Sequence, residues 1–323
     1  MENFEKWKRA YKAQNMSVFN HDPNGILWLK VRAISRKPQI RQFIETCGIS
    51  LKSSRLCDQT KELFELLEQR ADAMNLLDKY LKEKSHEWYN LKGVDEDQLK
   101  EGLHKVQSYD WGGDRNNSLD KYLVSHFVKN ISSFDEVVLR QAEIADNAWR
   151  YVMASWYNNW TSYIIEAVFK RHPKVIPAVG EIKGVDFFIG DIPVDLKVSF
   201  FPKGYIDFML KKKFGKDRPD SDELENRRNR IIAEAQADSS ELMAWLYSNQ
   251  GEMRFGAENR LFLILADTVA PEQSWKMKRY FELIAPKVNE YLDRFDEQSL
   301  KEVDFEFKGE KYRSLADTLF ILR

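Results

Sequence analysis

Residues 184–200 read Gly-Val-Asp-Phe-Phe-Ile-Gly-Asp-Ile-Pro-Val-Asp-Leu-Lys-Val-Ser-Phe, two apolar runs of strand type on either side of Gly190-Asp191. A Gly-Asp pair readily takes the positive φ values of a two-residue turn, so the stretch predicts one β-hairpin. Counting outward from the turn pairs Ile189 with Ile192, Phe187 with Val194 and Asp186 with Asp195. Side chains alternate along a strand. Val185, Phe187 and Ile189 are therefore expected on one face with Val194, Leu196 and Val198, and Asp186, Asp195 and Lys197 on the other.

Directly opposed residues have Cβ atoms roughly 4.5–5.5 Å apart, and like charges at that spacing repel. A divalent cation shared by the two carboxylates would offset the repulsion. Hard oxygen donors suit Mg²⁺, with Mn²⁺ able to substitute, and a lysine one pleat away can steer a phosphate or a water. The plain alternative is a wet hairpin face that carries charge because it is solvated. Val194, Leu196, Val198, Phe200 and Phe201 argue against it, since they surround the charges with core-type residues. Half-buried carboxylate clusters are commonly metal or catalytic sites.

Upstream, a helix is predicted from about Val137 to Phe169 or Lys170, ending before His172-Pro173 because proline disfavours continuation. Glu166 is the only charge in its last turns, Tyr163 to Phe169. Either it reaches solvent or an arginine, or it joins the acids of the hairpin, since an isolated buried carboxylate is costly.

Asp186, followed by Asp195-Leu196-Lys197 on the next strand, resembles the signature of the PD-(D/E)XK nuclease superfamily, the group that includes type II restriction endonucleases. Val185 stands where the motif has its proline. The resemblance covers at most Trp149 to about Ala266. It implies a restriction-endonuclease-like α/β core, with a mixed central sheet flanked by helices. It also implies Asp186, Asp195 and Glu166 as metal ligands, these three with Lys197 as the catalytic set, and Glu166 on the helix preceding the sheet. In-line attack leaving a 5′-phosphate and a 3′-hydroxyl, double-stranded DNA as partner and action as a homodimer follow from the same resemblance.

The chain has 323 residues, 43% hydrophobic and 13% aromatic, enough for a substantial core in one large or two ordinary domains. We expect a largely helical N-terminal region over 1–136, for DNA recognition or dimerisation, and a nuclease-like catalytic domain over 137–323. Lys and Arg total 50 against 51 Asp and Glu, so any polyanion must be held by a local field rather than by bulk charge. Cys47 and Cys57 fit neither a disulfide framework nor a zinc site, which suggests a reducing compartment. With no apolar signal region and no membrane-length run, the expectation is a cytoplasmic protein with no membrane partner.

In the first half, Lys30, Arg32, Arg36, Lys37 and Arg41 form a basic cluster beside Trp28, read chiefly as a solvated helix face and alternatively as a phosphate contact. A short strand is expected at Val175 to Val179, with Pro177 limiting its pairing, and the hairpin strand should end near Pro202. Tyr205 to Asp222 reads as basic and irregular, then a helix from about Glu223 to Tyr247. From this block Lys203, Lys211, Lys212, Lys213, Arg227, Arg228 and Arg230 are the candidate phosphate-backbone contacts. Arg260 to Ala266 is a buried strand by its apolar run, Glu272 to about Phe295 a helix, and Val303 to Tyr312 a peripheral hairpin turning near Lys308-Gly309.

The expected function is a Mg²⁺-dependent endonuclease on DNA, most like a type II restriction enzyme of a restriction-modification system. The alternatives are a non-cleaving nucleic-acid-binding protein on a nuclease-like fold, or a nuclease of repair, of junctions or of RNA.

Overall fold

The computed structural model describes residues 2–14, 16–91, 93–110, 118–179, 182–215, 220–249, 258–307 and 309–323. Residues 111–117, whose Gly-Gly and Asn-Asn pairs suggest a turn-type break, and the bases Lys216 and Arg218 of the basic block lie outside those residues. The first half is helical: α1 (Glu2–Lys12), α2 (Pro23–Ala33), α3 (Lys37–Cys47), α4 (Leu56–Leu67), α5 (Ala73–Leu91), α6 (Glu96–His104), α7 (Leu119–Leu123) and α8 (Phe134–Leu139). Local chemistry sets these starts. Pro23 opens α2 behind Asp22, whose carboxylate accepts from the Asn24 and Gly25 amides at 3.0 Å, and Asp95 caps α6 in the same way.

The second half alternates helices and strands. A 31-residue helix, α9 (Gln141–Arg171), leads to β1 (Val175–Pro177), β2 (Phe187–Ile189) and β3 (Ile192–Phe200). Then follow α10 (Lys203–Phe214), α11 (Ser221–Ala237), α12 (Ser240–Asn249), β4 (Arg260–Ala266), α13 (Phe281–Arg294), β5 (Lys301–Phe307) and β6 (Glu310–Leu322). The strands make one mixed sheet in the order β1-β2-β3-β4-β6-β5, with β3, β4 and β6 mutually parallel and the other neighbours antiparallel. The protein is thus of the α/β class.

Both faces of the sheet are covered. Ile165 and Phe169 of α9 pack with Ile284 and Val288 of α13 against Phe187, Val194, Leu261 and Leu263. On the opposite face, α10–α12 cover the β4, β5 and β6 end, with Met209, Ile231 and Leu246 against Phe262, Ile264 and Phe305. The β1 and β2 end of that face is covered by the N-terminal helices, whose Trp7, Phe43 and Leu77 share one core with Ile176, Val185 and Phe188.

Several elements differ from expectation for physical reasons. The tail is not peripheral: β6 runs 13 residues and its second half pairs with β4 inside the sheet. Residues 203–214 are helical rather than irregular, ending at Gly215 with φ +65°. The helix expected from Glu223 to Tyr247 is two, because Asp238 leaves helical geometry at φ −141° and turns its carboxylate onto the Ser240 amide and hydroxyl. The helix expected to run on from Val137 begins at Gln141, after the separate α8. Residues 271–279, expected as α-helix, wind as 3₁₀ before α13. No helix among the described residues is long and apolar enough to cross a membrane.

Of the basic cluster of the first half, Arg32, Arg36, Lys37 and Arg41 are exposed as expected, but Lys30 is not. Lys30 is 1% exposed, with Nζ 2.6 Å from Asp78 of α5 and 5.5 Å from the Phe188 ring centroid. It bonds α2 to α5 over the sheet and is not a solvated face. Breaking a buried pair by removing one partner strands the other's charge. Asp78→Ala leaves a buried ammonium uncompensated and is expected to cost about 3–5 kcal/mol. Lys30→Met, which removes the buried charge and keeps its volume, costs roughly half of that or less, since apolar replacements are often near neutral. Urea unfolding orders the two variants; equal losses would mean that the ammonium is solvated where it sits.

Candidate active site at the hairpin

The turn forms as its sequence dictates. Gly190 has φ +59°, and a Cβ there would stand 2.5 Å from Glu297 Oε1, which accepts from the Asp191 amide at 3.1 Å. The register pairs Ile189 with Ile192 and Phe187 with Val194. Beyond Phe187 the pleat gives out. Val185 turns into the N-terminal core with Phe188, rather than sharing a face with Phe187, and Asp186 precedes the strand.

Asp186 bridges the gap with both of its polar ends. Its amide donates to the Val194 carbonyl and its Oδ2 accepts from the Leu196 amide, each at 2.8 Å. A carboxylate thus takes the ladder position that β2 leaves empty. Burial pushes the Asp186 carboxyl up to about 6, helped by the charges of Asp195 and then Glu166, and opposed by the Leu196 amide and Lys170.

Asp195 is 7% exposed, on the β3 face that also carries Lys197. Lys197 Nζ stands 3.1 Å from Oδ1 and 3.0 Å from Oδ2, and Arg260 Nε lies 3.4 Å from Oδ2. Neither Oδ2 nor that Nε makes an aligned hydrogen bond among the described residues. Arg260 is the first residue of β4, paired with Asp195 in the parallel register, and its Nη2 donates to Glu258 at 2.8 Å. Glu258 is buried, and that burial raises its carboxyl, aided by Asp195 and countered by Arg260 and Lys197. Sequence reasoning missed Glu258 and the role of Arg260. The signal available was the polar triplet Glu258-Asn259-Arg260 at the head of an apolar strand.

Glu166 lies on α9 within electrostatic reach of Asp186, but its carboxylate is ion-paired with Lys170 one turn on. Among the described residues no three His, Cys, Asp or Glu side chains converge as a preformed metal group. The donor chemistry at Asp186 and Asp195 nonetheless fits a hard divalent cation: a half-buried and a buried carboxylate, the latter with an oxygen lacking a hydrogen bond.

The candidate phosphate contacts separate into two groups. Lys212 pairs with Glu241, Lys213 and Arg230 with Glu234, and Arg227 with Glu223, while the two guanidinium groups also sit over the Phe214 ring. Lys211 is exposed in the last turn of α10. Lys203 and Arg228 line a cleft of about 650 Å³ beyond the C-terminal ends of β3 and β4. The cleft is not centred on the carboxylates; it opens past Ser199, two residues along β3 from Lys197. The chain matches no protein-family model, no curated protein and no solved structure.

The raised Asp186 carboxyl has a consequence for stability. The unfolded chain releases this proton near 4 and the folded one near 6, so between those values the native state holds more protons. Stability therefore falls as pH rises through that window. Asp186→Asn keeps an acceptor for the Leu196 amide and removes the charge. It should match wild type near pH 4 and exceed it above pH 7 by up to about 3 kcal/mol, by the usual conversion of a pKa shift. Chemical unfolding of both proteins at pH 4 and 7.5 measures this; a difference that does not change with pH would show an unstrained Asp186.

Proposed function

We propose that this chain is a Mg²⁺-dependent endonuclease that hydrolyses DNA phosphodiester bonds, most like a type II restriction endonuclease. The observation that carries the proposal is the convergence of Asp186 and Asp195 from the two arms of one hairpin, with Lys197 in contact with Asp195 on the same strand. That arrangement is the geometric counterpart of the PD-(D/E)XK resemblance, and the α/β order around it accords with a restriction-endonuclease-like core.

Asp186 and Asp195 would hold the cation, which when bound supplies Lewis acidity toward a phosphate oxygen and acidifies a coordinated water. Lys197, with its side chain 48% exposed, would leave Asp195 for the nucleophilic water or for the charge that develops on the phosphate. Arg260, paired with Glu258, sets a positive charge behind Asp195. Glu166 would turn from Lys170 to the edge of the metal environment. Double-stranded DNA is the proposed partner and a homodimer the proposed assembly.

One observation favours the non-cleaving alternative: Lys197 and Arg260 already neutralise Asp195 without a cation. Incubation with supercoiled DNA and Mg²⁺ or Mn²⁺ separates the readings. Discrete bands support a restriction enzyme, a smear an unspecific nuclease, and retarded but intact DNA the binding protein. Asp186→Ala, Asp195→Ala and Lys197→Ala should each lower cleavage by about a hundredfold or more, the scale for removing a group that stabilises transition-state charge. Lys197→Ala should keep the metal-induced rise in melting temperature that the two aspartate variants lose. Glu166→Gln should be the mildest of the four, with extra metal restoring part of the loss.

A further inference from the structure

The cleft beyond β3 and β4 combines features that the carboxylate site does not use. Its walls include Phe200, Phe201, Trp245 and Trp275, and its charged rim includes Lys203 and Arg228. The two tryptophans are held in place. Trp245 packs on Gly204, where a Cβ would come within 3.1 Å of its ring, and meets Tyr205 edge-on at 5.8 Å. Trp275 stacks on Tyr109 with an interplanar angle of 12°.

The cations differ from their neighbours. Arg227, Arg230, Lys212 and Lys213 are committed to glutamates, whereas Lys203 and half-buried Arg228 have no ion-pair partner among the described residues. Three acids also line the cleft. Asp267 is engaged by the Val269 and Ala270 amides, and Glu225 and Glu272 are exposed at the rim.

We infer that this cleft receives one unstacked nucleotide of a bound nucleic-acid strand, its base against the aromatic wall and its phosphate at Lys203 and Arg228. Size excludes a duplex, because a cavity of about 650 Å³ has the volume of a small-molecule site. Aromatic rings take any base by stacking, and cations beside them take the backbone. Ser199 shares the β3 face of Asp195 and Lys197, and lies two residues, roughly 7 Å, beyond Lys197 and four residues, roughly 13 Å, beyond Asp195. The occupant is therefore a near neighbour of the nucleotide at the carboxylates. The inference rests on the nuclease reading for its place next to a scissile phosphate. It specifies the substrate class: nucleic acid with an unpaired or extruded base, rather than an unbroken stack.

Anisotropy of fluorescein-labelled dodecathymidylate, titrated with the full chain in EDTA at fixed salt, tests the cleft without cutting. Wild type should bind the single strand, and should bind a duplex with one unpaired thymidine more tightly than the fully paired duplex of the same length. Arg228→Gln and Trp245→Leu should each weaken single-strand binding about tenfold, within the range that loss of one stacked base spans. Asn229→Trp, which fills the cleft from the surface of α11, should do the same while leaving the melting temperature in place. Single-strand affinity unchanged in all three variants would overturn the inference, as would a wild type that binds the fully paired duplex more tightly than the one with an unpaired base. A wild type that binds in this pattern but cuts nothing with Mg²⁺ or Mn²⁺ would sink the nuclease reading and leave the cleft. Cleavage with variants that bind normally would do the reverse.

Discussion

The hydrogen bond from the Leu196 amide to the Asp186 carboxylate is the contact on which the candidate site depends. At 2.8 Å it replaces a backbone pairing that β2 cannot supply, because the chain has left the pleat at Val185. It holds one carboxylate at the edge of β3, on which the second, Asp195, lies one residue away. Two acids so placed in a half-buried setting cannot both be comfortably ionised. The upward shift of Asp186 comes first from its burial and then from that repulsion. A structure retains such a conflict only where the surroundings over-determine it.

Those surroundings come from distant parts of the chain. Asn259, just before β4, donates to the Pro193 carbonyl at 3.0 Å and to Asn20 at 2.6 Å, and accepts from the Leu315 amide at 3.3 Å. Hairpin, N-terminal helices and last strand thus meet at one buried amide. Tyr247 and Ser314 both donate to the Glu258 carbonyl, which fixes the segment that carries Arg260. Gly184 is required beside it: with φ +75°, its Cβ would fall 2.6 Å from Glu258 Cγ. The hairpin is therefore rigid against β4 before any ligand arrives, as preorganised electrostatics demand.

What was legible in the sequence follows from the range of the interaction. The turn at Gly190-Asp191 fixes register over three pairs, so the hairpin and the places of Asp195 and Lys197 on its second arm could be counted out, whereas Asp186 lies just before β2 and outside that register. Glu258 and Arg260 could not be assigned this way. Their place behind Asp195 arises from parallel pairing across three intervening helices, and pairing at that separation leaves no local periodicity. The same limit hid the second half of β6, where Leu319-Phe320-Ile321-Leu322 is a short apolar run like many others until β4 is beside it. Lys30 misled for a different reason. A lysine in a basic run is ordinarily solvated, and only the fold brings Asp78 and Phe188 to it.

Charge economy connects the fold to what it can hold. The block from Lys203 to Arg230 looks strongly basic in sequence, yet four of its seven candidate contacts neutralise glutamates on α11 and α12, two of them tying α10 to those helices and two pairing within α11. Surface pairs of this kind contribute little stability individually, but each lowers the field available to a polyanion. Of the three left over, Lys203 and Arg228 line the cleft and Lys211 is exposed in the last turn of α10, while Lys197 stays paired with Asp195 along β3. A chain with net charge −1 cannot attract nucleic acid by its overall field. On the proposed reading the attraction would have to be local, at the end of β3, where Lys203 and Arg228 and the packed aromatic rings share one cleft with Glu225, Asp267 and Glu272.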